Sequence, residues 1–349
     1  MSDHIEQFRN TIASAVNNKR ALRIRGGGSK DFYGLRLDGD VIDIRAYSGI
    51  VEYEPTELVF TARAGTPLHE VEATLAEHGQ MLAFEPPHFG SEATFGGCIA
   101  TGFSGPRRAY QGSVRDFVLG VRVLNSAGED LRFGGQVMKN VAGYDVSRLL
   151  TGSFGTLALI LEASVKVLPI PETEQTLRLE MNEAQAIDTM NRYAGQPLPL
   201  SATCFVDKGL YIRLSGAASA VAAAQKQLGG ESIDGEPFWQ SVREHTHPFF
   251  PDAKSIWRLS VKSTAAPHEL GPTLIEWNGS LRWVSGDGEL SQMNANASAC
   301  GGYATLFRST HNGGAIQQLQ PGMLKLQRGI KQAIDPEGIF GPHRLHDSF

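Results

Sequence analysis

The 349-residue sequence is poor in cysteine, in net charge and in long apolar runs, and each shortage excludes a class of protein. Its three cysteines, Cys98, Cys204 and Cys300, are far apart, which excludes a disulfide framework, a zinc-binding spacing and an iron–sulfur ligand set within the chain. A net charge of -5 argues against nucleic acid or an anionic membrane as the main partner. No apolar stretch approaches the roughly 20 residues of a membrane-spanning helix, and the polar N-terminus lacks the build of a signal peptide. We therefore expect a cytoplasmic protein that meets the inner membrane only through partners.

Glycine, in contrast, is abundant, and one run of it directly follows a short apolar segment. The run reads Arg25, Gly26, Gly27, Gly28, Ser29 and Lys30. Consecutive glycines expose successive backbone N–H groups and so form a nest for an anion, most naturally a phosphate. The run lacks the ending of a mononucleotide P-loop and the helix and acidic residue of a dinucleotide fingerprint, which argues against a nicotinamide cofactor. A plain tight turn is the alternative interpretation of this run.

Two further glycine-rich stretches favour the phosphate interpretation. One crowds small residues between Phe95 and Gly105 and is predicted to be a loop. Such a row of small residues either lets backbone pack on backbone or lets a flat ligand lie against the chain. The other, from Gly152 to Gly155, leads into an apolar strand. Three glycine-rich segments, each attached to a strand, predict one long ligand that is touched in three places.

The order of the motifs resembles that of the FAD-linked oxidases of the vanillyl-alcohol-oxidase and p-cresol-methylhydroxylase (PCMH) type, and among them the FAD-binding subunits of bacterial glycolate oxidase. The resemblance rests on RGGGSK, EPPHFGSEATFGGCIATGFSGPRR, SVRDFVLGVRVLNSAGEDLRFGG, KNVAGYDVSRLLTGSFGTLALILEASVKVLP and DPEGIFGPHRL, and covers nearly the whole chain. It implies an α+β fold with a PCMH-type FAD-binding domain over residues 1–170. A cap domain built on an antiparallel sheet is expected over 171–322, and the strand and helix pattern from Thr176 onward agrees with it. The segment 323–349 is expected to return to the FAD domain.

The resemblance further implies an FAD-dependent oxidoreductase that oxidises glycolate, a 2-hydroxy acid, as part of a complex. The candidate FAD contacts are the six residues of the first glycine run together with Pro86, Thr94, Gly96, Gly97, Ala100, Thr101, Ser104, Gly105, Gly155, Leu157 and Ile160. Covalent relatives attach the flavin through a histidine beside this run. Ser29 and Lys30 occupy that neighbourhood here, so we expect FAD to be bound non-covalently.

Several positions depart from the pattern of the resembling family. Phe154 replaces a glutamate and Ala158 a glycine in the third glycine-rich loop, while Gly341 replaces an asparagine near the C-terminus. The histidine-rich segment of relatives that oxidise hydroxy acids is reduced to His311-Asn312-Gly313-Gly314. We therefore assign no catalytic residue and no metal site, and expect a second FAD-binding catalytic subunit and an iron–sulfur subunit as partners. The alternatives are a self-sufficient FAD dehydrogenase of another alcohol or hydroxy acid, and a cofactor-free scaffold subunit.

Seven basic residues have an open role in this sequence. They are His88, Arg107, Arg108, His247, Arg258, Arg282 and Arg308. The first could contact the flavin or the substrate or cap a carbonyl, and the next two could contact the flavin or lie on the surface. The other four could contact a carboxylate substrate or serve as surface or interface residues.

Overall fold

A computed structural model describes residues 2–135, 145–251, 254–310 and 319–349 of the chain. Its contacts divide the chain into two compact units. The first unit comprises Met1–Phe103, Ser113–Pro169 and Leu319–Phe349, and the second comprises Ser104–Gly112 and Ile170–Gln318. The segment 104–112 therefore belongs to the second unit, whereas it was predicted to lie in the first domain.

The structure is a mixture of helices and antiparallel strands, and the predicted α+β class is confirmed. The elements up to residue 135 are α1 (Ser2–Asn17), β1 (Leu22–Arg25), β2 (Asp40–Asp43), β3 (Ile50–Glu54), a 3-10 turn (Pro55–Glu57), β4 (Val59–Arg63), α2 (Leu68–Glu77), β5 (Gln80–Met81), α3 (Phe95–Thr101), α4 (Arg108–Gln111), α5 (Val114–Phe117), β6 (Val118–Leu124) and β7 (Asp130–Gly134). The elements after residue 144 are α6 (Val146–Leu150), β8 (Leu159–Lys166), β9 (Leu168–Pro169), β10 (Thr173–Glu180), α7 (Glu183–Ala194), β11 (Leu200–Val206), β12 (Gly209–Gly216), α8 (Ala218–Leu228), β13 (Glu231–Ile233), α9 (Glu236–Arg243), β14 (Ser255–Ser260), β15 (Thr273–Glu276), a 3-10 turn (Trp277–Gly279), β16 (Leu281–Ser285), α10 (Leu290–Ala299), β17 (Tyr303–Ser309) and α11 (Pro321–Ile334).

The first unit is built around a five-stranded antiparallel sheet in the order β3-β4-β8-β6-β7. The central strand β8 is buried along nearly its whole length, as its apolar sequence requires. Strand β1, which leads into the glycine run, pairs in parallel with β2. On its other side Leu22 forms a parallel bridge with Phe340, so the C-terminal segment extends this small sheet. One continuous apolar core unites these elements.

The small-residue stretch after Thr94 is a helix, α3, and the prediction of a loop there was wrong. The Thr94 hydroxyl accepts a hydrogen bond from the backbone N–H of Gly97 at 3.2 Å and caps the helix. Gly102, in a left-handed conformation, ends it. A Cβ at Gly96 would lie 2.4 Å from the Cβ of Ala64, so small residues are needed for close packing of this helix against the end of β4. Packing has overridden the low helix propensity of the stretch.

The second unit carries an eight-stranded antiparallel sheet in the order β13-β10-β12-β11-β15-β16-β14-β17. Helices α7 and α8 bury their apolar faces with this sheet, and α10 packs beside β14 and β17. The hydrogen bonds that join the segment 104–112 to the unit include one from Trp277 Nε1 to the Gly105 carbonyl at 3.1 Å and one from the Tyr110 hydroxyl to Asn278 Oδ1 at 2.6 Å.

Candidate functional site

A pocket in the first unit opens where β1 runs into the glycine run. Its walls come mainly from the end of β1 with the segment up to residue 38, helix α3 with its cap, the loop before β8 with the start of that strand, and the C-terminal segment, and Ile44 and Ala64 complete the lining. The lining residues are Arg23, Ile24, Arg25, Gly26, Gly27, Gly28, Ser29, Lys30, Asp31, Arg36, Leu37, Asp38, Ile44, Ala64, Thr94, Gly96, Gly97, Ala100, Thr101, Phe154, Gly155, Ala158, Ile160, Gly341 and Arg344. The structure thus brings the three predicted glycine-rich segments to one pocket.

The three glycines of the first run are required by their own surroundings. A Cβ at Gly27 would lie 1.4 Å from the carbonyl oxygen of Glu92, and one at Gly26 would lie 2.2 Å from Thr94 Oγ1. Gly28 has a φ of 72°, a left-handed conformation that side chains rarely adopt. Glycine here therefore allows the loop to pack tightly against residues 92–94.

This packing leaves a row of backbone donors available in the pocket wall. Within the described part of the chain, no group accepts a hydrogen bond from the backbone N–H of Gly26, Gly27, Gly28 or Ser29. Residues 26–29 are half-buried, and a backbone donor without a partner in the protein binds water or a ligand. Four consecutive donors without such a partner are the expected geometry of an anion-binding nest.

The charge of the pocket also suits an anion. Five cationic side chains line it, against the two carboxylates of Asp31 and Asp38. The cations are Arg23, Arg25, Lys30, Arg36 and Arg344. The Nε atoms of Arg23 and Arg25 are buried and have no hydrogen-bond partner within the described residues, and Arg25 Nε lies 3.4 Å from Asp31 Oδ2. The field in the pocket therefore favours negative charge.

Lys30 is held in place by neighbours from the segment after residue 87. Its ammonium donates a hydrogen bond to the backbone carbonyl of His88 at 3.1 Å and lies 5.5 Å from the centre of the Phe89 ring. The residue is 8% exposed. The contacts with His88 and Phe89 therefore hold the positive charge of Lys30 at the pocket.

Arg344 approaches the same loop from the C-terminal segment. Its guanidinium donates long hydrogen bonds of 3.4 Å to the carbonyls of Lys30, Asp31 and Arg36, and its own carbonyl accepts one from the Leu35 N–H at 2.9 Å. Burial lowers the pKa of this guanidinium below its usual value. Arg344 was not among the predicted contacts, because more than 300 residues separate it from the glycine run; the closing motif DPEGIFGPHRL was the available signal.

The remainder of the pocket wall is apolar and partly aromatic. Ile24, Ala158 and Ile160 contribute small or aliphatic surface. Phe154 has a φ of 53°, unusual for a residue other than glycine, and its ring stacks on Tyr33 with 4.9 Å between centroids. A wall of this kind suits the flat, weakly polar part of a ligand.

Four predicted contact residues lie elsewhere. Pro86 does not line the pocket, and Leu157 is 7% exposed within the apolar core of the first unit. Ser104 and Gly105 belong to the second unit, where the Gly105 carbonyl accepts the hydrogen bond from Trp277. Both follow the end of α3, where the chain leaves the first unit.

Arg107 and Arg108 have structural partners within the second unit. Arg107 is 6% exposed, forms an ion pair with Glu174 and lies 3.3 Å from Ser215 Oγ. The guanidinium of Arg108 lies 4.2 Å from the centre of the Trp277 ring. The surface interpretation of Arg107 was wrong, because the segment 104–112 packs inside this unit.

His88, in the first unit, has its Nε2 2.9 Å from Glu72 Oε2 on α2, so its ring pairs with a carboxylate and does not line the pocket. In the second unit, His247 Nδ1 accepts a hydrogen bond from the Phe249 N–H at 3.3 Å, and burial lowers the pKa of His247. These hydrogen bonds explain the orientations of the His88 and His247 rings.

The three candidate arginines of the predicted cap domain have different surroundings. Arg282 is fully buried and donates to the backbone carbonyls of Gly279, Ala265 and Ala266, which identifies it as a structural residue. Arg258 lies over the Trp277 ring, and burial lowers the pKa of Arg308. The segment 311–314 and the motif residues 139–144 lie outside the described residues.

Neither a metal-ligand cluster nor a membrane-spanning helix is found among the described residues. They contain no group of three or more histidine, cysteine, aspartate or glutamate side chains placed to hold a metal ion. In the same residues, no helix is both long enough and apolar enough to cross a membrane.

Comparison with known proteins agrees with the geometry of the pocket. Residues 2–134 match the family model described as an FAD binding domain, so FAD is the cofactor of this fold. The chain is 46% identical over 345 residues to the glycolate oxidase subunit GlcE of Escherichia coli (strain K12), covering 99% of this chain and 98% of that protein. It is 36% identical over 141 residues to the glycolate oxidase subunit GlcD of Bacillus subtilis (strain 168), covering 40% of this chain and 29% of that one.

Solved structures show the same fold at low sequence identity. Two structures of alkyldihydroxyacetonephosphate synthase superpose with TM-scores of 0.63 and 0.66 at 16% identity. Each match covers 97% of this chain and 74% of the synthase chain. At this identity the likeness establishes the fold alone. Together with the FAD binding domain model that residues 2–134 match, it confirms the predicted fold class.

Proposed function

Because the chain belongs to the family of FAD-linked oxidase subunits that includes the glycolate oxidase subunit GlcE, we propose that it is the FAD-binding subunit of a multi-subunit glycolate oxidase. Glycolate, a 2-hydroxy acid, is oxidised to glyoxylate by such a complex. The electrons leave through flavin to partner subunits.

The row of four unused backbone donors at residues 26–29 is the observation that carries this proposal. FAD has a diphosphate between its flavin and its adenosine, and a diphosphate needs several convergent donors together with positive charge. The pocket supplies both, since five cationic side chains line it. Charge-assisted hydrogen bonds of this kind each contribute roughly 1.5 to 3 kcal/mol.

Each wall of the pocket then has a separate task in holding the cofactor. The amides of the glycine run, with Arg25 and Lys30, would hold the diphosphate. Helix α3, whose Gly96 and Gly97 line the pocket, would let a flat ligand approach its backbone. Phe154 and Ile160 would exclude water from the apolar part. FAD, when bound, accepts two electrons from a substrate or partner and passes them on. We propose that it binds non-covalently.

The partners in this proposal are a second FAD-binding catalytic subunit and an iron–sulfur subunit. The chain has only three cysteines, which are distant in sequence, and no group of three or more histidine, cysteine, aspartate or glutamate side chains among the described residues could hold a metal, so we assign the iron–sulfur cluster to a partner. Arg282, a candidate for a substrate contact, and Arg107, a candidate for a flavin contact, have structural partners. The subunit would reside in the cytoplasm and reach the inner membrane through these partners.

The test is the visible spectrum of the purified chain before and after anaerobic addition of glycolate. We expect a yellow protein that stays oxidised until the partner subunits are added. Bleaching of the isolated chain by glycolate at full rate would place the oxidation in this chain and overturn the division of labour. A colourless protein that takes up no FAD on reconstitution, yet still assembles with its partners, would identify a scaffold subunit.

A further inference from the structure

The C-terminal segment contains a buried ion pair that none of the pocket contacts above explains. Lys331 lies in the last turn of α11 and is 7% exposed, and Asp335 follows the helix and is 1% exposed. Their Nζ and Oδ2 atoms are 2.6 Å apart. A lysine is rarely buried unless its charge is paired and its donors are satisfied.

The ammonium of Lys331 satisfies its three donors with groups from three places in the chain. Besides Asp335, it donates to the carbonyl of Thr156 at 2.6 Å and to the carbonyl of Phe340 at 2.7 Å. These two carbonyls are each adjacent in sequence to a glycine that lines the pocket, Gly155 and Gly341 respectively. One side chain therefore ties together two loops of the pocket wall.

Asp335 completes the arrangement from the other side. Its carboxylate accepts hydrogen bonds from the N–H groups of Ile339 at 3.3 Å and Phe340 at 2.9 Å, which fixes the turn that carries Gly341. Burial lowers the pKa of Lys331, and the carboxylate of Asp335 opposes that change. The charge of each group is thus balanced by the other.

The same turn is also bonded to the strand that leads into the glycine run. The Leu22 N–H donates to the Ile339 carbonyl at 2.7 Å, and the Gly341 N–H donates to the Leu22 carbonyl at 2.8 Å. Gly341 has a left-handed conformation, and a Cβ there would lie 3.3 Å from Thr156 Cγ2. A displacement of this turn would therefore shift two walls of the pocket at once.

We infer that Lys331 is a positioning residue for the cofactor, because through the Thr156 and Phe340 carbonyls it sets the relative position of two loops in the wall of the FAD pocket. Asp335 holds Lys331 in that geometry. This inference rests on the proposed binding of FAD in this pocket. It assigns to the C-terminal segment a part in cofactor affinity beyond closing the fold.

The test compares Lys331→Met with two matched variants. Lys331→Arg keeps the charge and donors, and Lys325→Met removes an exposed lysine from the same helix. The readouts are the FAD dissociation constant from quenching of flavin fluorescence and the melting temperature of the apoprotein. We expect Lys331→Met to raise the dissociation constant at least tenfold at a temperature well below its apoprotein Tm, Lys331→Arg to recover part of the loss, and Lys325→Met to change nothing.

A role confined to stability would lower the apoprotein Tm of Lys331→Met but leave its FAD dissociation constant equal to that of Lys325→Met, and this result would overturn the inference. If the wild type itself bound no FAD, the proposed function would fail instead. Should Lys331→Met not fold, hydrogen exchange of the wild type decides. FAD should slow exchange at residues 336–340, which do not line the pocket, and unchanged exchange there would refute the link.

Discussion

At the level of single residues, the glycine run shows both the strength and the limit of prediction from sequence. Gly26, Gly27 and Gly28 were predicted to expose backbone donors, and the donors of residues 26–29 have no partner within the described chain. The sequence did not show why these positions must be glycine. The reason lies in the contact with Glu92 and Thr94, which are more than 60 positions away in the sequence.

Tyr110 provides a prediction at the same scale, because burial raises its pKa to about 12 in the folded protein. An exposed tyrosine in the unfolded chain titrates near ~10. The folded state therefore favours the neutral phenol, and the resulting stabilisation of the folded protein is fully present below pH ~10. This stabilisation is lost as the pH rises from about 10 to about 12, because the phenol of Tyr110 ionises in the unfolded chain before it ionises in the folded protein.

The variant Tyr110→Phe should remove this dependence. We expect the free energy of unfolding of the wild type to fall by ~2 kcal/mol more than that of Tyr110→Phe over this range, measured by urea denaturation at a series of pH values. Parallel pH profiles of the two proteins would show that this phenol is not protected. Tyr47 and Tyr53 also have raised pKa values and are present in both proteins, so they cancel in the comparison.

At the level of elements, strands were easier to predict than the small-residue helix. The strong apolar pattern of β6 and β8 predicts buried strands, and the structure contains them. Helix α3 has the composition of a loop, since Gly96 and Gly97 both disfavour a helix. Its formation depends on the Thr94 cap and on close approach to Ala64, which only the assembled fold supplies.

The cap of α3 gives a prediction at this scale. Thr94→Ala removes the acceptor for the Gly97 N–H and should lower the free energy of unfolding by ~1 kcal/mol. Thr94→Ser keeps the hydroxyl and should recover most of the loss. Urea denaturation of the three proteins, monitored by circular dichroism, checks this. Equal loss in the serine and alanine variants would assign the effect to the methyl group of Thr94 and not to the cap.

At the level of the whole molecule, the order of the motifs in the sequence predicted the fold class. It did not predict which segments belong to which of the two units. Nothing in the local sequence of residues 104–112 assigns them to a different unit from α3, yet they belong to the second unit. Arg344 and Gly341 likewise reach the pocket from the far end of the chain. Such long-range contacts depend on topology, which local patterns do not contain.

The central claim is that the glycine run binds FAD through its backbone donors, and equilibrium titration with FAD tests it most directly. The comparison requires the wild type, Gly27→Ala and Gly329→Ala. A Cβ at Gly27 would lie 1.4 Å from the Glu92 carbonyl oxygen and must displace the loop, whereas one at Gly329, on the exposed face of α11, meets nothing within 4 Å. The second substitution should stabilise the helix by roughly 0.5 to 1 kcal/mol.

We predict one FAD bound per chain for the wild type and Gly329→Ala, and no measurable binding for folded Gly27→Ala. Circular dichroism of each protein before titration establishes that it is folded. If folded Gly27→Ala bound FAD as tightly as the wild type, the diphosphate would not be held by this loop, and the proposed role of the glycine run would be contradicted.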